Sequence, residues 1–255
     1  MSEIIKTRAL VVYATPWSDT SKIVHLFTRE HGYLKVIAKG ARRPKSEFRG
    51  VLEVLNQVEA VVSLKETRGL QIVTQADLLE AFTNIRDDLN RTAVAFAIME
   101  LIRTLLNYRE SMVRLYDQTI QLLRELNQPE TSEPLLHLLL FLILISEHLG
   151  FAWNFAQCAR CHRTPQTFPV QVDMENGAVI CNRCASLSIP YPRKLGKAQW
   201  QLLRQLEEIV RNRTPIPSSL SGISVQRPLV ELLLDHLRYH TDQSLQLKSL
   251  KMYLP

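Results

Sequence analysis

Several function classes are excluded by what this sequence lacks. Only eight of its 255 residues are glycine, and they are scattered. They form neither a G-x-x-x-x-G-K nor a G-x-G-x-x-G string, so there is no P-loop and no dinucleotide-binding turn. Neither a G-x-S-x-G elbow nor an H-E-x-x-H pair occurs. The adjacent carboxylates Asp87-Asp88 and Glu207-Glu208 fall on expected helices. Neighbours there diverge by about 100°, so neither pair converges on one ligand. No apolar run reaches the roughly 20 residues of a bilayer crossing; the longest, Leu135 to Ile145, is interrupted by His137. A secretory h-region is lacking too, because Lys6 and Arg8 precede only a short apolar run from Ala9 to Ala14. A cytoplasmic protein without a membrane partner is expected. In that reducing compartment its four cysteines should be free or metal-bound. With no catalytic constellation, a binding module is preferred over an enzyme.

What is present supports a folded, basic, multidomain chain. Hydrophobic residues make up 46% and charged residues 22%, which suits a buried core. Lys and Arg total 31 against 25 Asp and Glu, a net of +6 that favours anionic partners. Residues 1–80 carry short β-rich runs at Ile4–Tyr13, Ile23–Thr28, Tyr33–Ala38, Val58–Leu64 and Leu70–Thr74, bounded by turn-formers. Five short strands close more readily into an OB-fold barrel than into a sheet with two bare edges. From about residue 85 the period becomes helical, first through Val94, Ile98, Leu101, Ile102 and Leu105, then through Val113, Tyr116, Ile120 and Leu123. A third helix, apolar nearly all round, should start near Ser132 as N-cap, with Pro134 in its first turn, and stop before Gly150. Two more are expected around Leu195–Val210 and Leu229–Tyr239, with a loop over 214–222. The fold class is therefore α+β: an OB-fold domain over 1–80, then an α-helical bundle domain over 81–255. An insertion at 151–194, with a hairpin turn at Asn176-Gly177, interrupts the second domain.

The insertion holds every cysteine. Cys158-x2-Cys161 and Cys181-x2-Cys184 are separated by 19 residues. Two such turns joined by a hairpin bring four thiolates around one Zn²⁺, and four sulfurs leave no open position for water. Zinc there is structural, and it offsets the small apolar core of the segment. Four ordinary buried cysteines are the plain alternative, disfavoured by the matched pairs. Cys158-Ala159-Arg160-Cys161-His162 also spells a haem-attachment string, against which stand the second pair and the missing export signal. His162 is then a surface residue. A zinc deaminase is disfavoured because no H-x-E precedes the pair.

Charge is concentrated in one stretch. Residues 31–50 hold Lys35, Lys39, Arg42, Arg43, Lys45 and Arg49 against Glu47 alone, so nearly all of the chain's excess lies here. Strand alternation sends Leu34, Val36 and Ala38 into the barrel and leaves Tyr33, Lys35, Ile37 and Lys39 outside. A base could stack on Tyr33 while the cations follow phosphates, and Phe48 offers a second platform. A charged, solvated loop is the equal competitor. The helical stretch 85–150 carries more acid than base and suits a scaffold or protein-binding face.

The string Pro16-Trp17-Ser18-Asp19-Thr20-Ser21, Val24-His25-Leu26-Phe27-Thr28, Gly32, Ala38-Lys39-Gly40-Ala41-Arg42 and Lys45-Ser46 resembles the N-terminal signature of the RecO family of bacterial recombination mediators. A closing Leu247-Lys248-Ser249 extends the likeness. Asp19 stands where many relatives have Glu, and Leu250 where they often have Arg. The resemblance implies a non-enzymatic protein of recombinational DNA repair that binds single- and double-stranded DNA. It implies strand annealing and, with RecR, the loading of RecA onto DNA covered by single-strand DNA-binding protein, whose C-terminal tail the helical domain would take. It further implies a bacterial, nucleoid-associated location. Lys39 and Arg42 match the family's basic string. The competing reading is a zinc-containing protein-interaction adaptor without direct DNA contact; a metal-dependent nuclease is a distant third.

Overall fold

The structure, a computed structural model, describes residues 2–107, 110–131, 133–185, 193–217, 220 and 227–253. The expected N-cap Ser132 and part of the expected 214–222 loop lie outside them. Two compact units are present, the first comprising residues 1–130 and 247–255 and the second residues 131–246.

The first unit is built on five strands: β1 (Glu3–Pro16), β2 (Lys22–Thr28), β3 (Gly32–Ala38), β4 (Asn56–Leu64) and β5 (Gln71–Ala81). They close in the order β1-β2-β3-β5-β4, an OB-like barrel whose one parallel seam pairs Val36 of β3 with Gln71 of β5. Alternation sets the interior. Ile5, Ala9 and Val11 of β1, Val24 and Leu26 of β2, Leu34, Val36 and Ala38 of β3, and Val58, Ala60 and Val62 of β4 share one buried cluster.

The outer face is not free. Leu10, Val12 and Phe27 lie on it, yet all three are buried. Helix α1 (Thr83–Arg86) leads into α2 (Leu89–Leu105) and α3 (Val113–Leu126). The Phe27 ring meets Tyr116 of α3 edge-on at 5.5 Å, and the Tyr116 hydroxyl accepts from Gln57 Nε2 of β4 at 3.1 Å. Arg29 forks onto Asp117 at 2.7 and 2.8 Å. Asp88 caps α2 by accepting from the Arg91 N–H at 2.8 Å, which gives one member of the acidic pair a structural task. A 3-10 turn at Ser249–Met252 returns to α2, where the Ser249 N–H meets Glu100 at 3.3 Å. The barrel ends where the sequence period changes. The compact unit extends on to residue 130 because α2 and α3 bury the barrel's outer apolar face.

In the second unit α4 (Pro134–His148) packs against α5 (Lys197–Asn212) and α6 (Arg227–Thr241). Thirteen residues of α4, Pro134 to Ser146, are buried, as its unbroken apolar sequence requires. Leu195, expected to open a helix, lies instead in a short strand. The small sheet runs β6 (Asn154–Cys158), β8 (Ala178–Ile180), β7 (Val170–Asp173), β9 (Lys194–Leu195). Helix α5 braces it: Glu207 accepts from the Phe155 N–H at 2.8 Å, and Trp200 Nε1 donates to the Phe155 carbonyl at 2.8 Å. Glu208 instead faces solvent and pairs with Arg204, so the second acidic pair also diverges.

Candidate nucleic-acid interface and metal centre

The register of the barrel gathers two loops on one rim. Pro16 of β1 pairs with Lys22 of β2, Lys22 with Ala38 of β3, and Ala38 with Val73 of β5. The turn after β1 and the long connection after β3 therefore leave the barrel together. Arg42 ties them: its backbone N–H donates to the Thr20 carbonyl at 3.0 Å, and its Nη1 to the Ser18 carbonyl at 2.6 Å.

Lys35, Lys39, Arg42, Arg43, Lys45 and Arg49 are all exposed. Arg49 Nη1 reaches the Pro44 carbonyl at 3.4 Å. Among the described residues none of the six is ion-paired, whereas Lys6, Lys22 and Arg29, elsewhere in the first unit, all have carboxylate partners. The rim thus carries uncompensated positive charge in open solvent, the electrostatic requirement for a polyanion.

Tyr33 departs from expectation. It does lie on the outer face, but that face is covered at this end of β3, and the side chain is only 4% exposed. Its hydroxyl pairs with His25 Nδ1 at 2.6 Å. His25 packs edge-on between Tyr33 and Tyr13, and the Arg103 guanidinium of α2 lies 4.7 Å over the Tyr13 ring. Burial raises the Tyr33 hydroxyl's pKa, and burial with Lys35 and Arg103 nearby lowers His25 to about 4. Tyr33 is a wall residue with no open ring face. Phe48 is corrected similarly, since it packs against the barrel core. An aromatic that does stand open beside this rim was missed: Trp17, which opens the turn after β1, is 62% exposed. The signal was available, as a tryptophan inside a Pro-Ser-Asp turn string has no core to enter.

In the second unit the two cysteine pairs converge. Cys158 ends β6, Cys181 follows β8, and their parallel pairing sets the two turns side by side. All four sulfurs lie within 4.8 Å of one another, and Cys161 and Cys181 are 3.8 Å apart at sulfur. Tetrahedral thiolate coordination at about 2.3 Å requires sulfurs separated by roughly 3.8 Å, so the set fits one metal ion. His162 adopts a left-handed φ of 56° in the first turn and is exposed, beside the ligand set and outside it. Arg160 donates to the Cys184 carbonyl at 2.8 Å, which clamps one turn to the other. Against the cost of burial, backbone N–H groups at residues 161, 181 and 160 lower Cys158 to about 6, while Cys184, whose thiol donates to the sulfurs of Cys161 and Cys181, is pushed up to about 12. Arg163 and Arg183 are exposed on the same turns.

Among the described residues no helix is long and apolar enough to cross a membrane. Comparison with known proteins covers nearly the whole chain. The family model described as Recombination protein O N terminal matches residues 1–82, and Recombination protein O C terminal matches residues 86–252. The DNA repair protein RecO of Myxococcus xanthus is 30% identical over 234 residues, 89% of this chain and 90% of its own. That of Prosthecochloris aestuarii is 28% identical over 249 residues, 94% of this chain and 93% of its own. That of Dehalococcoides mccartyi is 29% identical over 203 residues, 80% and 78% respectively.

Proposed function

The chain belongs to the RecO family of DNA repair proteins, and from that premise we propose that it is a non-enzymatic mediator that holds DNA on the rim of its barrel. The observation that carries this reading is the set of six exposed cations without carboxylate partners at Lys35, Lys39, Arg42, Arg43, Lys45 and Arg49. Single and double strands both bind there through the backbone, without sequence preference. Annealing needs no bond chemistry. It needs two polyanions held close with their repulsion neutralised, and lysine and arginine do this by displacing condensed counterions. With RecR, the protein then helps RecA replace single-strand DNA-binding protein, whose C-terminal tail docks on the helical part. The work is done in the bacterial cytoplasm, at the nucleoid.

In the same reading the four thiolates of Cys158, Cys161, Cys181 and Cys184 hold one structural Zn²⁺. Sulfur donors in a closed tetrahedron suit zinc, and a filled shell gives it no substrate to activate. Its contribution is to join the two cysteine turns.

A titration of single-stranded and duplex DNA across salt concentration tests the proposal. Changing Lys35, Lys39, Arg42 and Arg43 together to Ala should weaken both and flatten the slope of log affinity against log salt by up to about 3 on single strands. An unchanged slope removes the rim from the mechanism. Failure of the native protein to bind bare oligonucleotides would leave the adaptor reading in its place.

A further inference from the structure

We propose that the Trp17 indole is a stacking platform for one unpaired base at the edge of the basic rim; this rests on the DNA-binding reading above. A lone exposed apolar residue is ordinary. Trp17 differs in being both held and placed. Its backbone N–H donates to the Ser21 carbonyl at 3.0 Å, the Ser21 backbone N–H donates to Ser18 Oγ at 3.2 Å, and Arg42 grips the Ser18 and Thr20 carbonyls. The turn is ordered before any ligand arrives, so little conformational freedom remains to be lost on binding. The same Arg42 belongs to the basic loop. The turn that carries the exposed indole is therefore tied directly to the loop whose cations would follow a phosphate backbone, and an aromatic beside basic groups is the combination that single-strand grooves use.

The chemistry selects the strand form. In a duplex each base is already stacked and paired, and its faces are closed to an indole. In a single strand every base has a free π-face, so stacking is tolerant of sequence. The six cations bind either form, and Trp17 adds a preference for the unpaired one.

The chain has three tryptophans, and the other two, Trp153 and Trp200, are 3% and 5% exposed. Emission from the exposed indole can therefore be followed in the native protein. Titration with an oligothymidylate should quench it, and a duplex of equal length should not. Trp17→Ala should lower the ratio of single-strand to duplex affinity by about tenfold, and Trp17→Phe should restore most of that ratio. If the native protein binds both forms but the emission is unmoved, or if Trp17→Ala keeps the ratio, the stacking inference is overturned and the DNA reading stands. If the native protein binds neither form, both fall. The quenching arm needs no variant, so a poorly folded Trp17→Ala would not shield the idea.

Discussion

His25 shows how a side chain on the outer face of the barrel can be committed to the fold. Its ring is wedged between Tyr13 and Tyr33, with Lys35 across the strand pair and Arg103 beyond. Burial and these two cations hold its pKa at about 4, against 6.5 for the free group. Above 6.5 the imidazole is neutral in both folded and unfolded chains, and the contact is intact. As pH falls from 6.5 towards 4 the unfolded chain takes up a proton that the folded chain refuses, so stability declines through that window and levels off below it. His25→Phe keeps an aromatic ring without the titration. The stability gap between native protein and variant should shrink steadily in urea melts from pH 7 to pH 4. A gap independent of pH would mean that the imidazole is solvated. The same neighbourhood explains why Tyr33 was misread. Period-2 alternation tells which side of the barrel a residue takes; it carries no information on which distant helix covers that side. The cations at Lys35, Lys39, Arg42, Arg43, Lys45 and Arg49 were readable as exposed because long charged side chains in a turn-rich stretch have nowhere to be buried.

At the scale of elements, the turn between β2 and β3 is as constrained as any strand. Gly32 has a φ of +63°, and a Cβ placed on it would lie 2.0 Å from the backbone oxygen of Glu110. Gly50, in the basic connection, has a similar φ of +74° with nothing within 4 Å. The pair separates two effects. Gly50→Ala should cost only the left-handed strain, about 1 kcal/mol. Gly32→Ala adds a backbone collision to that strain and should cost about 2–4 kcal/mol in equilibrium denaturation. Equal costs would show that the segment at Glu110 yields freely. The five barrel strands were legible because each is a local run ended by turn residues. Strands β6 and β9 were not: β9 is two residues long, and β6 pairs with β8 across more than twenty residues of chain. The attachment of α2 and α3 to the barrel escaped for a similar reason, since a helical period shows that a face is apolar and leaves open what it meets. The cysteine turns needed no such help, as their spacing is itself the geometry.

For the molecule as a whole, the two candidate sites belong to different units. The basic rim and Trp17 lie in the first, and the four cysteines in the second. Each unit has its own reasons to be stable. The barrel interior is a continuous apolar cluster closed on all sides by strands. At the cysteine turns the buried cluster is only Cys158, Ile180 and Cys181, with Ala159, Cys161 and Cys184 at its margin. So little apolar area contributes little folding free energy, and metal binding would supply most of what holds those turns. Removing metal should therefore act unequally. A strong chelator at neutral pH is expected to release one Zn²⁺ per chain and to lower the melting transition of the second unit. The salt dependence of DNA affinity, a property of the first unit, should stay as it was. Acid should release the metal as well, because thiolates that take up protons no longer coordinate. Calorimetry with and without chelator, alongside DNA titrations on the same samples, separates the outcomes. An unaltered thermogram after metal loss would reduce the four thiolates to an accidental cluster. A lowered transition together with a changed salt slope would mean that the metal turns contribute to the DNA-binding surface, and that the division of labour between the units is wrong.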